Sequence, residues 1–284
     1  MIGCVKMKKY ILILVFVIGL GIFSYPIISN YFSTKTHQSA VKQYREAVEQ
    51  MDYMTIEDER KKATKHNEKL KSAQLNYVDP FSEQAADAPE NSGNKSYYDA
   101  LNVGPAIGNL EIPKINVQLP MYHGTNDDVL SRGVGHLENS SLPTGELGTH
   151  SVFTAHRGLP SSKLFRDIDQ LKVGDEFFIE VLNEKYAYEV YEVDIVLPHE
   201  TDWLQMDDDE ELVTLLTCEP YMINTHRMLV KGKRVPYSPE KTTTNLPEQR
   251  TAALGAPWYF IAASAGVIML IVIFLRLRKA GRRP

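Results

Sequence analysis

Residues 212–218 read LVTLLTC, an apolar run whose composition predicts a buried β-strand. The following Glu219-Pro220 interrupts the strand pattern, because proline has no amide hydrogen to give to a sheet. Cys218 is therefore expected at a strand end, where its thiol can meet a substrate. A free cysteine has a pKa of about 8.5, so a small fraction is thiolate at neutral pH. A buried structural cysteine is the alternative that this run alone leaves open.

The sequence around this run has the texture of a β domain over residues 104–237, with short apolar stretches separated by Gly, Pro and Asn. Two short helical turns are predicted at Asp127–Ser131 and Lys163–Ile168, and a hairpin turn at Asn183-Glu184. Many short strands in a segment of this size predict a sandwich or a closed barrel. The candidate strands are Ile107–Ile112, Val117–Met121, Ser151–Ala155, Glu176–Leu182, Tyr186–Leu197, Leu212–Thr217 and Arg227–Lys233.

Two other polar residues stand at the ends of candidate strands. His156 follows the strand Ser151–Ala155, and Arg227 begins the strand after the cysteine loop. An imidazole can exchange protons near neutral pH, and a guanidinium offers five donors in a fixed fork. Each has an ordinary alternative, a structural histidine and a surface arginine. His226 is expected to be structural, because alternation along a strand points it away from the face of Arg227.

The residues before the β domain divide into two parts. Residues 29–75 are predicted to form a charged helical stalk, since Val41, Tyr44, Val48 and Met51 fall on one helical face. Residues 76–103 contain Asp79-Pro80-Phe81 followed by Ala, Ser, Asn and Gly, which is typical of a loop.

Two uncharged stretches of 19 residues, at positions 10–28 and 257–275, lie near the two ends of the sequence. Each is about 28 Å long as a helix, which matches the hydrocarbon core of a bilayer. The basic residues lie on the terminal side of both stretches, in residues 1–9 and 276–284. The positive-inside rule then predicts a two-pass membrane protein, with both termini cytoplasmic and the β domain outside, connected to the second helix by a linker at 238–256. A cleaved signal peptide is the alternative for the first stretch.

Charge and cysteine usage limit the classes of function. The formal net charge is −5, and without the eight bases at the two ends 23 basic side chains face 36 acidic ones. Such an acidic domain argues against nucleic acid as a partner. The two cysteines, Cys4 and Cys218, are expected on opposite sides of the membrane, so no disulfide is predicted. No cofactor and no metal are implied.

The run Thr214-Leu215-Leu216-Thr217-Cys218 resembles the TLxTC signature of sortases. With His156-Arg157-Gly158 and Asn224-Thr225-His226-Arg227 in the same order and spacing, the sequence is similar to the class C, pilus-assembling sortases of Gram-positive cell surfaces. The resemblance extends from about Asp79 to Tyr237. It implies a closed eight-stranded β-barrel with short helices, where composition alone indicates seven candidate strands.

The resemblance also implies an activity and roles for individual residues. Cys218 would be the nucleophile, His156 the general acid/base, and Arg227 the residue that positions substrate or the oxyanion. The reaction would be transpeptidation: cleavage of an LPxTG-like sorting signal between Thr and Gly, then transfer to a Lys amine of a pilin subunit. Class C enzymes carry a lid with an Asp-Pro-aromatic motif, so Asp79 would pair with Arg227 and Phe81 would cover Cys218.

Three other readings of the function are considered. The nearest is a sortase that attaches surface proteins to peptidoglycan. The second is a thiol protease that hydrolyses the acyl-enzyme without an amine acceptor. The third is a non-catalytic two-pass extracellular binding domain, in which Cys218 is incidental.

Two short segments that resemble functional motifs, at residues 142–145 and 207–211, are predicted to be turns. Leu142-Pro143-Thr144-Gly145 resembles a sorting signal but lacks the residue between Pro and Thr, so a turn is predicted. The acidic run at residues 207–211 lacks the spacing of a Ca²⁺ loop, so a solvated acidic turn is predicted.

Overall fold

The computed structural model describes residues 2–71, 77–82 and 95–238. Eight strands form a closed barrel in the order β1-β2-β3-β4-β7-β8-β6-β5. All neighbouring strands in the ladders are antiparallel except β2 with β3 and β4 with β7. The strands are β1 Gly108–Ile112, β2 Val117–His123, β3 Val134–His136, β4 Thr149–Thr154, β5 Glu176–Val181, β6 Glu184–Val196, β7 Glu211–Glu219 and β8 His226–Val235.

The closed barrel and seven of its strands confirm the prediction, with boundaries shifted by a few residues. The strand missing from the prediction is β3, whose three residues are too few to show a period-two pattern. The predicted hairpin turn at Asn183-Glu184 is wrong by one position. Val181 pairs with Glu184, so Leu182 and Asn183 make the turn, and Leu182 has a positive φ of 52°.

The interior of the barrel is filled by apolar side chains from alternating positions of the strands. Phe177 and Tyr188 stack across β5 and β6 with ring centroids 5.5 Å apart. Gly232 on β8 faces this pair, and a Cβ there would lie 2.5 Å from the Phe177 ring. The position therefore requires glycine for the rings to pack against the β8 backbone.

Helices cover part of the barrel. Helix α1 spans Ile2–Glu49, α2 Tyr53–Lys71, α3 Lys95–Tyr98 and α4 Asp127–Arg132. Of the predicted apolar face of the stalk, Val41, Tyr44 and Val48 are buried, whereas Met51 lies beyond the end of α1 and is only partly buried. The Tyr44 hydroxyl accepts a hydrogen bond of 2.7 Å from the amide of Leu182.

The two predicted helical turns have different outcomes. The first is α4, which Asn126 caps by accepting a hydrogen bond from the amide of Val129. At the second, residues 164–167 form turns, and a 3₁₀-helix follows only at Ile168–Gln170.

One helix in the described part of the chain, Ile13–Glu49, is long and apolar enough to cross a membrane. It includes most of the first predicted membrane segment, so it is a candidate membrane anchor. The second predicted segment, residues 257–275, lies outside the described residues. The two-pass topology and the cytoplasmic placement of the termini stay predictions. The chain divides into two compact units, and the barrel belongs to the unit made of Thr34–Leu159 and Lys163–Leu246.

The acidic run at 207–211 is not solvated throughout. Asp207 to Glu210 are exposed, but Glu211 is the first residue of β7 and only 4% exposed. Its carboxylate accepts hydrogen bonds from Tyr188 and Arg234. The prediction of a solvated turn was wrong for this residue, because strand pairing places it in the barrel wall. Residues 141–145 form a loop, and Asn67 holds its Leu142 backbone through both amide atoms.

Candidate active site

Strand pairing brings Cys218 and Arg227 to the same place. Cys218 is near the end of β7 and lies directly opposite Arg227, near the start of β8. Side chains at paired positions of two antiparallel strands project from the same face. Both side chains are about 5% exposed. The proline after Glu219 ends the strand, so the thiol stands where the barrel wall gives way to a loop.

His156 reaches the same edge through the parallel pairing of β4 with β7. The ladder runs from Thr149 with Glu211 to Thr154 with Leu216. It continues through the Thr217 hydroxyl, which donates a hydrogen bond of 2.7 Å to the carbonyl of Ala155. Thr217 of the TLxTC signature thus anchors the residue immediately before His156.

The other threonine of the signature is also buried and hydrogen-bonded. The Thr214 hydroxyl lies 2.8 Å from Nε2 of His150, and Nδ1 of that histidine lies 2.9 Å from the carbonyl of Gln205. These contacts tie β7 to β4 and to the loop before β7. The signature threonines therefore hold the strand that carries the cysteine.

The segment 77–82 lies over this constellation and is tied to it by an ion pair. Asp79 accepts two hydrogen bonds from Arg227, from Nε at 2.8 Å and from Nη2 at 2.5 Å. The remaining nitrogen, Nη1, donates to the carbonyls of Asn224 and His226. Both partners are largely buried, so this is a bidentate, charge-assisted pair with little exposure to water.

Aromatic contacts add to the ion pair. The Phe81 ring centroid lies 5.5 Å from that of His156 and 5.3 Å from Cζ of Arg227. The Tyr77 ring meets Trp203 edge-on, with centroids 5.6 Å apart. The segment thus touches the imidazole, the guanidinium and the loop before β7. A contact of Phe81 with the thiol itself, implied by the family resemblance, stays a prediction.

Burial favours the uncharged forms of the thiol and the imidazole. It raises the pKa of Cys218 to about 11, against the attraction of Arg227, while the Asp79 charge raises the pKa further. Burial also lowers the pKa of His156, which Asp127 partly offsets. A buried group loses the hydration that stabilises its charged form, so with segment 77–82 in place both groups are held neutral.

A second ion pair joins the residues that follow His156 and Cys218. Arg157, 7% exposed, pairs with the Glu219 carboxylate through Nη1 and with Asp169 through Nη2 at 3.1 Å. Its Nε donates to the carbonyl of Arg166.

All five predicted site residues lie in one place, and sequence reasoning missed several of their neighbours. Tyr77 and Trp203 gave no signal, because their contact joins segments far apart in the chain. Arg157 was part of the motif that carries the family resemblance, and Glu219 was a departure from the family text that was expected to bear on substrate choice. Their position beside His156 and Cys218 was the only sign of an interaction.

A thiol, an imidazole and a guanidinium at one edge of a closed barrel can carry out acyl transfer through a cysteine. The comparisons identify the class. A family model described as "Sortase domain" matches residues 110–235. Sortase D of Bacillus subtilis (strain 168) is 33% identical over 180 residues, which is 61% of this chain and 85% of that protein.

Solved structures agree. Sortase C1 of Streptococcus agalactiae, in complex with MTSET, is 42% identical and superposes with a TM-score of 0.64 over 70% of this chain and 99% of that one. Sortase C of Streptococcus pneumoniae is 41% identical with a TM-score of 0.62, over 70% and 97% of the respective chains. The chain belongs to the sortase family of cysteine transpeptidases, and these structural neighbours are class C sortases. The alternative of a non-catalytic binding domain is thereby wrong.

Proposed function

We propose that this chain polymerises pilin subunits. It cleaves an LPxTG-like sorting signal between Thr and Gly and transfers the new acyl group to a Lys amine of another subunit. The reaction leaves a covalent bond between two subunits, so repeated turnover builds a polymer. The chain acts at the membrane, anchored by its N-terminal apolar helix and by the second apolar segment at 257–275.

One observation carries this proposal: the segment containing Asp79-Pro80-Phe81 is bound to Arg227, which lies opposite Cys218 on the neighbouring strand. The Asp79 carboxylate accepts hydrogen bonds from Nε and Nη2 of Arg227, and the Phe81 ring lies against His156. A substrate must displace it, so access to the site depends on opening this segment. Among the class C neighbours, the pneumococcal sortase C is one whose pilin substrate specificity has been described. Both points favour polymerisation of pilin over attachment of surface proteins to peptidoglycan.

The first chemical step is attack by Cys218 on the Thr carbonyl carbon of the sorting signal. A C–S bond forms and the Thr–Gly C–N bond breaks, leaving a thioester on Cys218. The thiol proton passes to His156 as the sulfur attacks, and His156 then gives it to the departing glycine amine, so it acts first as a general base and then as a general acid. A thiolate is a good nucleophile and a good leaving group, so the same sulfur can release the acyl group later.

Arg227 supports this step after it loses Asp79. Its Nη1 stays bound to the carbonyls of Asn224 and His226, which hold the guanidinium in place. The freed Nε and Nη2 then point at the space where the Asp79 carboxylate lay. They can donate to the substrate carbonyl and stabilise the negative charge that develops on its oxygen.

In the second step a Lys amine attacks the thioester carbon. A C–N bond forms, the C–S bond breaks, and the amine loses a proton to His156. His156 returns this proton to the departing sulfur, so the thiol of Cys218 is regenerated. Membrane anchoring contributes to this step, because an enzyme and two membrane-bound pilin precursors confined to one surface have a raised effective concentration.

The test uses the full chain in detergent micelles with an LPxTG-type peptide, followed by intact-mass spectrometry. An Asp79→Ala/Phe81→Ala variant opens the site, and a Cys218→Ala change in that background removes the proposed nucleophile. We expect an acyl adduct on the opened form, much less on wild type, and none without Cys218. An opened form that gives neither adduct nor cleaved peptide, with peptides or with pilin protein, contradicts the proposal.

The acceptor separates the remaining alternatives. The acylated protein is offered a pilin domain with its lysines, a peptidoglycan cross-bridge amine, or water alone. Faster turnover with pilin, and loss of that gain when the pilin lysines are methylated, supports polymerisation. A gain with the cross-bridge amine alone indicates attachment to the cell wall. Hydrolysis at one rate with every amine indicates a thiol protease.

A further inference from the structure

Two of the three residues proposed for catalysis, His156 and Cys218, continue the register of the ladder between β4 and β7. Thr154 pairs with Leu216, an offset of 62 residues (216 − 154), and every pair of this parallel ladder shares it. Ala155 and Thr217 are joined at the same offset by the hydroxyl–carbonyl hydrogen bond. His156 and Cys218 stand one step further, again 62 residues apart (218 − 156).

The next step in this register is the ion pair between Arg157 and Glu219. The ladder's backbone pairing ends at Thr154 and Leu216, since the chain turns away after His156. Beyond that point the amide of Ala155 still donates to the carbonyl of Leu216 at 3.3 Å, and the links that follow are made by side chains. The pair of His156 and Cys218 therefore lies between two cross-strand links. On one side is the Ala155–Thr217 hydrogen bond, and on the other is the Arg157–Glu219 ion pair.

Arg157 is held on its other side as well. Its Nη2 binds Asp169, in the 3₁₀-helix Ile168–Gln170, and its Nε binds the carbonyl of Arg166. The guanidinium is 7% exposed and the Glu219 side chain 20%, so water screens their attraction only in part. A planar fork with three partners has little freedom to rotate. Glu219 is thus bound to a group that is itself immobile.

We propose that Arg157 and Glu219 are positioning residues, forming an ionic clasp that sets the distance between the imidazole of His156 and the thiol of Cys218. The clasp touches no reacting atom. Its effect on the chemistry is geometric, since a displacement of about 1 Å at a reacting group can cost up to ~100-fold in rate. This inference rests on the function proposed above only for the identity of the two groups that are positioned.

The decisive variant is Glu219→Gln, which keeps the size of the side chain and removes its charge. The matched control is Glu111→Gln. Glu111 has a similar exposure, 18%, and forms a 2.7 Å ion pair with Lys185 on the β1–β5–β6 side of the barrel. All variants are made in the full chain with the opening substitutions Asp79→Ala/Phe81→Ala, so that segment 77–82 does not limit the rates.

With an LPxTG-type peptide, Glu219→Gln is expected to lower kcat about tenfold and to leave KM within about twofold, since it disturbs positioning and not binding. Glu219→Asp restores the charge and is expected to recover part of the loss. Arg157→Lys keeps the charge but loses the fork, and is expected to lower kcat also. Should Glu219→Gln fail to fold, these two variants carry the same test. The clasp is overturned if the variants lower kcat no more than Glu111→Gln does.

A second measurement needs no sorting signal, so it keeps the clasp separate from the proposed function. The rate of Cys218 alkylation by iodoacetamide is measured with and without His156→Ala. In the opened protein, His156→Ala is expected to change the alkylation rate about fivefold. When Glu219→Gln is also present, His156→Ala should change the rate less than twofold, because the imidazole no longer meets the thiol. An equal histidine effect in both proteins refutes the clasp. If alkylation follows the expectation but no peptide or pilin acylates Cys218, the clasp stands and the proposed function fails.

Discussion

Two arginines of β8 form ion pairs that share their chemistry and differ in their surroundings. Arg234 donates to Glu211 at 2.9 and 3.2 Å and lies 4.3 Å from the ring centroid of Tyr186. Arg227 donates to Asp79 at 2.8 and 2.5 Å and lies 5.3 Å from the ring centroid of Phe81. In each case a guanidinium combines a carboxylate with an aromatic ring.

The backbone around the carboxylate distinguishes the two pairs. Glu211 begins β7 and pairs with Thr149 of β4, and the ladders of β7 with β4 and β8 hold this strand whether or not Arg234 is present. Asp79 lies in a segment of six described residues that is neither helix nor strand. The backbone of Glu211 can therefore leave its place only when strands of the barrel separate, while Asp79 can leave Arg227 by movement of one segment. The same interaction is structural in one place and suited to gating in the other.

The largest expected effect is on stability and concerns the pair of Arg234 and Glu211. Glu211→Ala leaves the buried Tyr188 hydroxyl and the Arg234 guanidinium without their acceptor, so the free energy of unfolding should fall by about 2–3 kcal/mol. For a domain of this size that lowers the midpoint of thermal unfolding by about 5–10 °C. Asp79→Ala, measured beside it, should lower the midpoint by less than about 2 °C. Equal losses of stability would remove the distinction between the two pairs.

The second prediction tests whether the pair of Arg227 and Asp79 restricts access to Cys218. Asp79→Ala/Phe81→Ala should speed alkylation of Cys218 by iodoacetamide at pH 7 about 30-fold, since the lost hydrogen bonds and ring contacts held the segment by about 2 kcal/mol. Glu211→Gln is the control and should leave the rate within about twofold. A wild-type rate equal to that of the opened form would show that segment 77–82 does not restrict access.

The third prediction concerns pH. With the segment in place, burial and the Asp79 charge raise the pKa of Cys218 to about 11. Removing the segment exposes the thiol and leaves Arg227 without its counter-charge, and both changes favour the thiolate. The pKa of Cys218 should therefore fall, by about one unit or more, in Asp79→Ala/Phe81→Ala. The measurement is the alkylation rate from pH 6 to 11, and a midpoint that stays or rises would contradict the electrostatic account.

The smallest expected effect concerns the outer contact of the segment. Trp203→Ala removes the ring on which Tyr77 packs, and an edge-to-face pair is worth about 0.5–1.5 kcal/mol. Alkylation of Cys218 should become about fivefold faster, less than for the double variant. Trp203→Phe keeps a ring and should change the rate about twofold at most. If Trp203→Ala matched the double variant, the Tyr77 contact and not the ion pair would hold the segment.

Some features of this protein could be read from the sequence because they depend on local patterns. Alternating apolar residues between Gly, Pro and Asn predicted seven strands, and the position of Cys218 at the end of one followed from Pro220. The spacing of Val41, Tyr44 and Val48 predicted the buried face of α1. The joint presence of Cys218, His156 and Arg227 came from resemblance to a family, since no periodicity states which strand ends meet.

Other features follow only from the tertiary structure, because they join residues that are remote along the chain. Val134–His136 becomes a strand through pairing with β2 and β4, not through its own pattern. In the sequence Glu211 belongs to an acidic run that predicts a solvated turn, but in the fold it begins β7 and accepts hydrogen bonds from Arg234 and Tyr188. Arg157 and Glu219 become partners because β4 and β7 are parallel neighbours at a constant offset. Local sequence thus determined seven of the eight strands and the residues at their ends. The closing of the barrel decided which charges meet, since only folding brings such distant groups within a few ångströms.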